Sequence, residues 1–232
     1  MKKKKSTQQQ FITPENYIRT RAKSLPIYKC FINEDWEFLG MANIFITRKH
    51  VTNYLSLCIY LVDTKCLGVK DTFYRFNISE EEVEAIMKNN PVKMLDVSYD
   101  LVHNIIYASI EFAEQFGFKP HKDFTSITEH FLEEDNDDIP LMEITCGGKN
   151  GEPWYMNTGH ETPARARQIV QQLEKVAGKD KFKYVLRGVD VLGHKDEFDG
   201  DIHYLDPDDQ TTETIKTTET IQTTETTETI KT

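Results

Sequence analysis

The order of patterns along this chain predicts an α+β fold: a mainly antiparallel sheet with three to four packed helices and disordered termini. Three observations carry that prediction. Strand-like runs at 27–32, 41–48, 54–63 and 69–76 follow one another through short polar connections, the spacing of hairpins. Helical patterns then come in succession, at 79–88 and 98–117, with another at 162–177, so strands and helices are grouped and do not alternate as βαβ units would. Hydrophobic residues make up 38% of the 232, enough to fill one core. The predicted organisation is a basic arm over 1–12, a single domain over 13–190 and an acidic Thr/Glu-rich tail over 191–232.

Each element has a local reason. The arm, MKKKKSTQQQ, is polar low-complexity sequence; its basic run has no apolar segment behind it, so it is not a secretory signal. Thr13 as N-cap and Pro14 in the first helical position open a short helix that ends before Pro26. The 54–63 strand places Leu55, Leu57, Ile59 and Leu61 on one face and Ser56, Cys58, Tyr60 and Val62 on the other, and both faces are apolar enough to be covered. Ser79 followed by Glu82 is a capping box. Ser98 and Gly117 bound the longest helix, whose Leu101, Ile105, Ala108 and Phe112 repeat at helical spacing. Residues 118–138 read as a long connection ending in EEDNDD. Residues 141–146 and 154–158 read as strands around GGKNGEP, with Asn150-Gly151 as a hairpin turn signal. Thr162 and Pro163 open the last helix, whose Ala166, Ile169, Val170 and Leu173 form an apolar stripe; 182–186 reads as a closing strand. From Thr211 the chain repeats TTETIK, TTETIQ and truncated copies, which have too little apolar surface to fold alone.

Composition excludes several classes. The formal net charge is −10, but from Lys195 to the end eleven acidic residues stand against three basic ones, so the body is nearly neutral. That argues against a duplex nucleic-acid binder, which needs a basic footprint. No run reaches the roughly 18 apolar residues of a membrane helix. Cys30, Cys58, Cys66 and Cys146 are widely spaced and read as reduced thiols, which together with the missing signal predicts a cytoplasmic location.

Chemistry concentrates in two places. The 63–71 turn holds Asp63, Cys66, Lys70 and Asp71, with Lys65 between them. A thiol beside lysines has a lowered pKa and serves as a nucleophile. The Asp63-x-Lys65 strand end also matches half of the pattern of metal-dependent nucleases, with magnesium held by Asp35, Glu37 or Asp71 as second carboxylate. The competing reading is architectural: hairpin turns favour Asp and Lys, and a small thiol fills a core. The second place is TGHETPARAR, where His160, Thr162, Arg165 and Arg167 surround a helix start whose amides attract a phosphate or carboxylate. There the competing reading is a solvated helix face. A polar stripe of His103, Tyr107, Glu111 and Glu114 on the longest helix reads as its solvated side, with His121 and His130 nearby in the chain. No histidine pair has zinc spacing, Gly147-Gly148-Lys149 lacks the Ser/Thr and helix of a P-loop, and EEDNDD lacks the glycine of a calcium loop.

At YLVDTKCLGVKDTFYRF, with PENYIRTRAKSLPIYKCFIN before it and EFAEQFGFKPHKDF after it, the chain resembles a family of uncharacterised bacterial proteins, over about residues 13 to 187. The resemblance implies a bacterial cytoplasmic protein and transfers no catalytic residue. The leading expectation is therefore a non-enzymatic binding or regulatory domain, without a cofactor, for a small anion or a partner protein. The alternative is a hydrolase, thiol-dependent or acting on a phosphodiester with magnesium, centred on the 63–71 turn.

Overall fold

Local capping chemistry sets most element boundaries. Thr13 accepts from the Asn16 amide at 3.3 Å and Pro14 begins α1 (Pro14–Thr20). The structure, a computed structural model, describes residues 12–136, 138–157 and 161–186, all within one unit spanning 1–192; the basic arm up to residue 11, His160, and the acidic tail lie outside the described residues. After α1 come β1 (Ile27–Asn33), the single turn α2 (Trp36–Leu39), β2 (Met41–Lys49), β3 (Leu55–Asp63) and β4 (Gly68–Ile78). The Ser79–Glu82 capping box forms in both directions, at 3.2 and 2.7 Å, and starts α3 (Glu80–Lys88). Then follow β5 (Met94–Val97), α4 (Tyr99–Gln115) capped by Ser98, α5 (Lys122–Ser126), β6 (Trp154–Asn157), α6 (Pro163–Val176) capped by Thr162, and β7 (Lys183–Leu186).

The first five strands form one antiparallel sheet in the order β4-β3-β2-β1-β5. Strand alternation divides its side chains between two cores. Ala42, Ile44, Ile46, Cys58, Tyr60 and Val62 face α1, α4 and α5, meeting Ile18, Val102, Ile105, Ile106 and Phe124. On the opposite face Phe45, Leu55 and Leu57 meet Val83 of α3. β3 is thus an interior strand covered on both sides, and the structure is α+β. A third apolar cluster lies at the β3–β4 turn, where Cys66 and Leu67 meet Ala113, Phe118, Tyr155, Ala166, Ile169 and Leu173.

Four sequence expectations are corrected. Residues 141–146 form no strand, and the hairpin with 154–158 is absent. The side chain of Asn104 on α4 instead holds that segment, donating to the Pro140 carbonyl at 3.0 Å and accepting from the Met142 amide at 2.9 Å. The turn itself forms, with the Gly148 amide donating to the Glu152 carbonyl at 2.7 Å, but β6 pairs in parallel with β7 across α6. Residues 118–138 contain α5 and a 3₁₀ turn (Thr128–Phe131), and β5 fills the gap before α4, pairing with β1. Finally, His103 is not solvated. It is 1% exposed, packed between the tilted rings of Tyr99 and Tyr107, and its Nε2 donates to the Glu133 carbonyl at 3.2 Å, while Glu111 and Glu114 are exposed.

Arg48, at the end of β2, is among the largest fully buried side chains. Its Nη1 donates to the carbonyls of Lys23 and Leu25 at 3.0 and 2.5 Å, its Nε to that of Phe131 at 3.0 Å, and its Nη2 to the Glu133 carboxylate at 2.6 Å. Tyr99 also donates to Glu133, at 2.5 Å. Burial raises the Glu133 pKa, but the hydrogen bonds from Arg48 and Tyr99 prevail and hold it below the usual carboxylate range. One guanidinium therefore ties the segment before β1 and the 3₁₀ turn to the sheet. Arg48→Ala is expected to lower the unfolding free energy by about 3–5 kcal/mol, because three carbonyls and a carboxylate lose their donor. Urea denaturation measures this, and a loss below about 1 kcal/mol would show that water replaces the guanidinium without penalty.

Candidate functional site

The β3–β4 turn is built by Asp63. Its carboxylate accepts from the amides of Lys65 and Cys66 at 2.9 and 3.0 Å, closing an Asx-type turn that Gly68 completes at φ +65°. A Cβ on Gly68 would lie 3.0 Å from the Ser109 carbonyl and 3.2 Å from the Ala113 Cβ, so α4 packs directly on the turn. The turn then serves as an anchor for later chain. The Gly147 amide donates to the Thr64 carbonyl at 3.0 Å and the Trp154 amide to that of Lys65 at 2.9 Å, while Lys65 Nζ reaches the Phe38 carbonyl at 2.8 Å and lies 4.7 Å from the Trp154 ring centroid.

The four residues singled out at this turn separate into two pairs. Asp63 and Cys66 point inward. Cys66 is 0% exposed, and burial, followed by the Asp63 charge, pushes its thiol pKa well up. Burial and a raised pKa are the opposite of the lowered pKa and access that the sequence reading attached to this thiol. Asp63 is raised by burial to about 6 against the opposing pull of Lys70. Among the described residues, no group of three or more His, Cys, Asp or Glu side chains is arranged to hold a metal ion, and Asp35 accepts from the Asn33 side chain at 2.8 Å.

Lys70 and Asp71 line a cleft of about 580 Å³, with Lys70 still close enough for its charge to act on Asp63 and Cys66. Its opposite wall is the start of α6, contributing Glu161, Thr162 and Arg165. The two regions that the sequence marked independently thus share one cavity, at Lys70, Asp71, Thr162 and Arg165. Arg167 does not line it, and His160 lies outside the described residues. The segment after α4 closes one end with Lys119 and His121, the His121 amide donating to the Val69 carbonyl at 2.9 Å. Leu61, Leu67, Val69, Phe118 and Ile169 supply apolar walls. The cleft's volume falls within the range of small-molecule pockets.

Charge is balanced unevenly in this cleft. Lys70 Nζ touches Glu161 Oε1 at 2.5 Å, with the side chains only 8% and 10% exposed. Thr162 already caps α6, accepting from the Arg165 amide at 3.3 Å. Arg165 and Lys119 add positive charge, and Asp71 sits 3.9 Å from His121. Glu161 was not picked out together with Lys119 and His121 as members of one site: they come from two segments far apart in the chain, brought together by the packing of Phe118 and Ile169 and by the Gln172 side chain donating to the Phe116 carbonyl at 2.9 Å.

Two measurements check this geometry. Cys66 is expected to resist alkylation at neutral pH until the protein unfolds; modification at the rate of a free thiol would contradict its burial. The Asp63 carboxyl, raised from 3.8 to about 6 on folding, contributes stability that is full below pH 4 and is lost as pH rises through 6. The stability of the protein relative to its Asp63→Asn variant is therefore expected to fall by up to about 3 kcal/mol between pH 4 and pH 7, read by denaturant unfolding across that range. A difference that stays flat with pH would refute the perturbation. Compared with protein-family models, curated proteins and solved structures, the chain matches none.

Proposed function

We propose that this chain is a binding domain that holds a small ligand by an anionic group, carboxylate or phosphate, in the cleft between β4 and α6. The observation that carries this reading is the convergence of Lys70, Lys119, Thr162 and Arg165 on one cavity with apolar walls. Cations and a hydroxyl at the start of a 14-residue helix suit an anion, since the helix dipole adds to their field. Burial of Cys66 and engagement of Asp63 by its own turn favour binding over a hydrolytic role for the same region. A bacterial cytoplasmic setting accompanies the proposal, resting on the resemblance of residues 13–187 and on four free cysteines, three of them buried.

The test is ligand-induced stabilisation. Inorganic phosphate and a panel of small carboxylates are titrated while thermal unfolding is followed. A ligand present at about 100 times its Kd stabilises by about 2.7 kcal/mol. Lys119→Ala combined with Arg165→Ala is expected to remove most of that gain, whereas Arg167→Ala, outside the cleft, is expected to retain it. If no member of the panel raises the melting temperature, or if the double variant responds as the native protein does, the anion site is rejected.

A further inference from the structure

The floor of the cleft contains polar atoms of both signs that lack a partner. Lys70 Nζ and Glu161 Oε1 are 2.5 Å apart, but the ammonium makes no hydrogen bond of proper direction. Glu161 Oε2 is likewise buried and meets no donor at a hydrogen-bonding angle; the Tyr155 hydroxyl, in the core beneath, lies against the same carboxylate but is not aligned to donate to it. Buried polar groups left unpaired are costly, and the large majority in folded proteins find partners. Here the unpaired set includes a cation with donors to spare and a carboxylate oxygen with lone pairs to spare, and both residues line the cavity.

These two orphans constrain the ligand more than positive charge alone does. A phosphate dianion would satisfy Lys70 but would place negative charge against Glu161 Oε2, which needs a donor. A ligand with an acceptor group beside a donor group completes both. Resting on the anion-binding reading above, we infer that the cleft takes a zwitterion of the amino-carboxylate class, its carboxylate on Lys70 and Arg165 and its ammonium on Glu161. The apolar surface of Leu67, Phe118 and Ile169 then faces the remainder of the ligand, in a cavity whose 580 Å³ exceeds the needs of the charged groups themselves.

The experiment compares matched pairs. Each of the twenty amino acids is titrated against the native protein beside the acid of the same skeleton lacking the amine, alanine beside propionate for example, with inorganic phosphate as reference and thermal unfolding as readout. At least one amino acid is expected to bind about tenfold or more tighter than its deaminated partner, as one charge-assisted hydrogen bond implies. Glu161→Gln is expected to abolish that preference while weakening the simple acid little or not at all; the matched pairs on native protein stand as the test even if this variant fails to fold. Equal binding of acid and amino acid overturns the zwitterion inference and leaves the anion site in place, and so does binding of phosphate with none of the amino acids. Stabilisation by none of the compounds overturns both.

Discussion

The packing of this protein depends on a single buried cation. Arg48 lies at the end of an interior strand and is 1% exposed, yet its donors reach three carbonyls of two other segments and one carboxylate. An isolated buried charge would be prohibitive, so each bond is a requirement of the others. Glu133 must come in to neutralise it, which fixes the acidic connection after the 3₁₀ turn, and Tyr99 and His103 of α4 close around the same carboxylate and its backbone. Glu133 is thereby removed from the solvated acidic run to which its sequence neighbours belong. With α4 held at this end by the arginine network, the other end of the helix lies against the glycine of the β3–β4 turn, where the cleft begins.

That turn combines two roles on opposite sides of one backbone. Residues 63 and 66 face inward and make the bend, by an Asx hydrogen-bond pattern and by a thiol packed among Ala113, Tyr155 and Ala166. Residues 70 and 71 face the cleft. The register passes from Val62↔Val69 to Leu61↔Asp71, so Lys70 is the extra residue of a bulge, and that bulge lets two adjacent side chains, 70 and 71, line the same cleft where a regular pleat would turn them to opposite faces. The same turn that buries Asp63 and Cys66 leads directly into the bulge that holds Lys70 in a buried position opposite Glu161.

What could be read from the sequence was whatever is decided locally. The caps at Thr13, Ser79, Ser98 and Thr162 depend on residues three apart, and all form as their types require. The β2–β3 hairpin has the alternation that two covered faces demand. Misreadings arose where a distant partner decides. Residues 141–146 form no strand, and the Met142 amide and the Pro140 carbonyl before it answer to Asn104 on a helix, so alternation alone could not say whether a strand partner existed. β5 is four residues long, too short to carry a period. Of the site, each half was visible as a cluster of reactive side chains; that they share one cavity was not, since their union depends on packing between residues about a hundred positions apart.

The parallel pairing of β6 with β7 has a consequence for how the protein is made. A parallel pair cannot close until its second strand exists, and β7 is the last described element of the chain. During synthesis the five-stranded sheet and α4, all complete by residue 115, are available to fold first, since domains form from the amino end as the chain emerges. The wall carrying Glu161 and Arg165 is seated only afterwards, when α6 is fixed between its two strands. Until then Lys70 stands in water without Glu161 as its counterion. A chain truncated before Lys183 would therefore retain its sheet and lose its cleft.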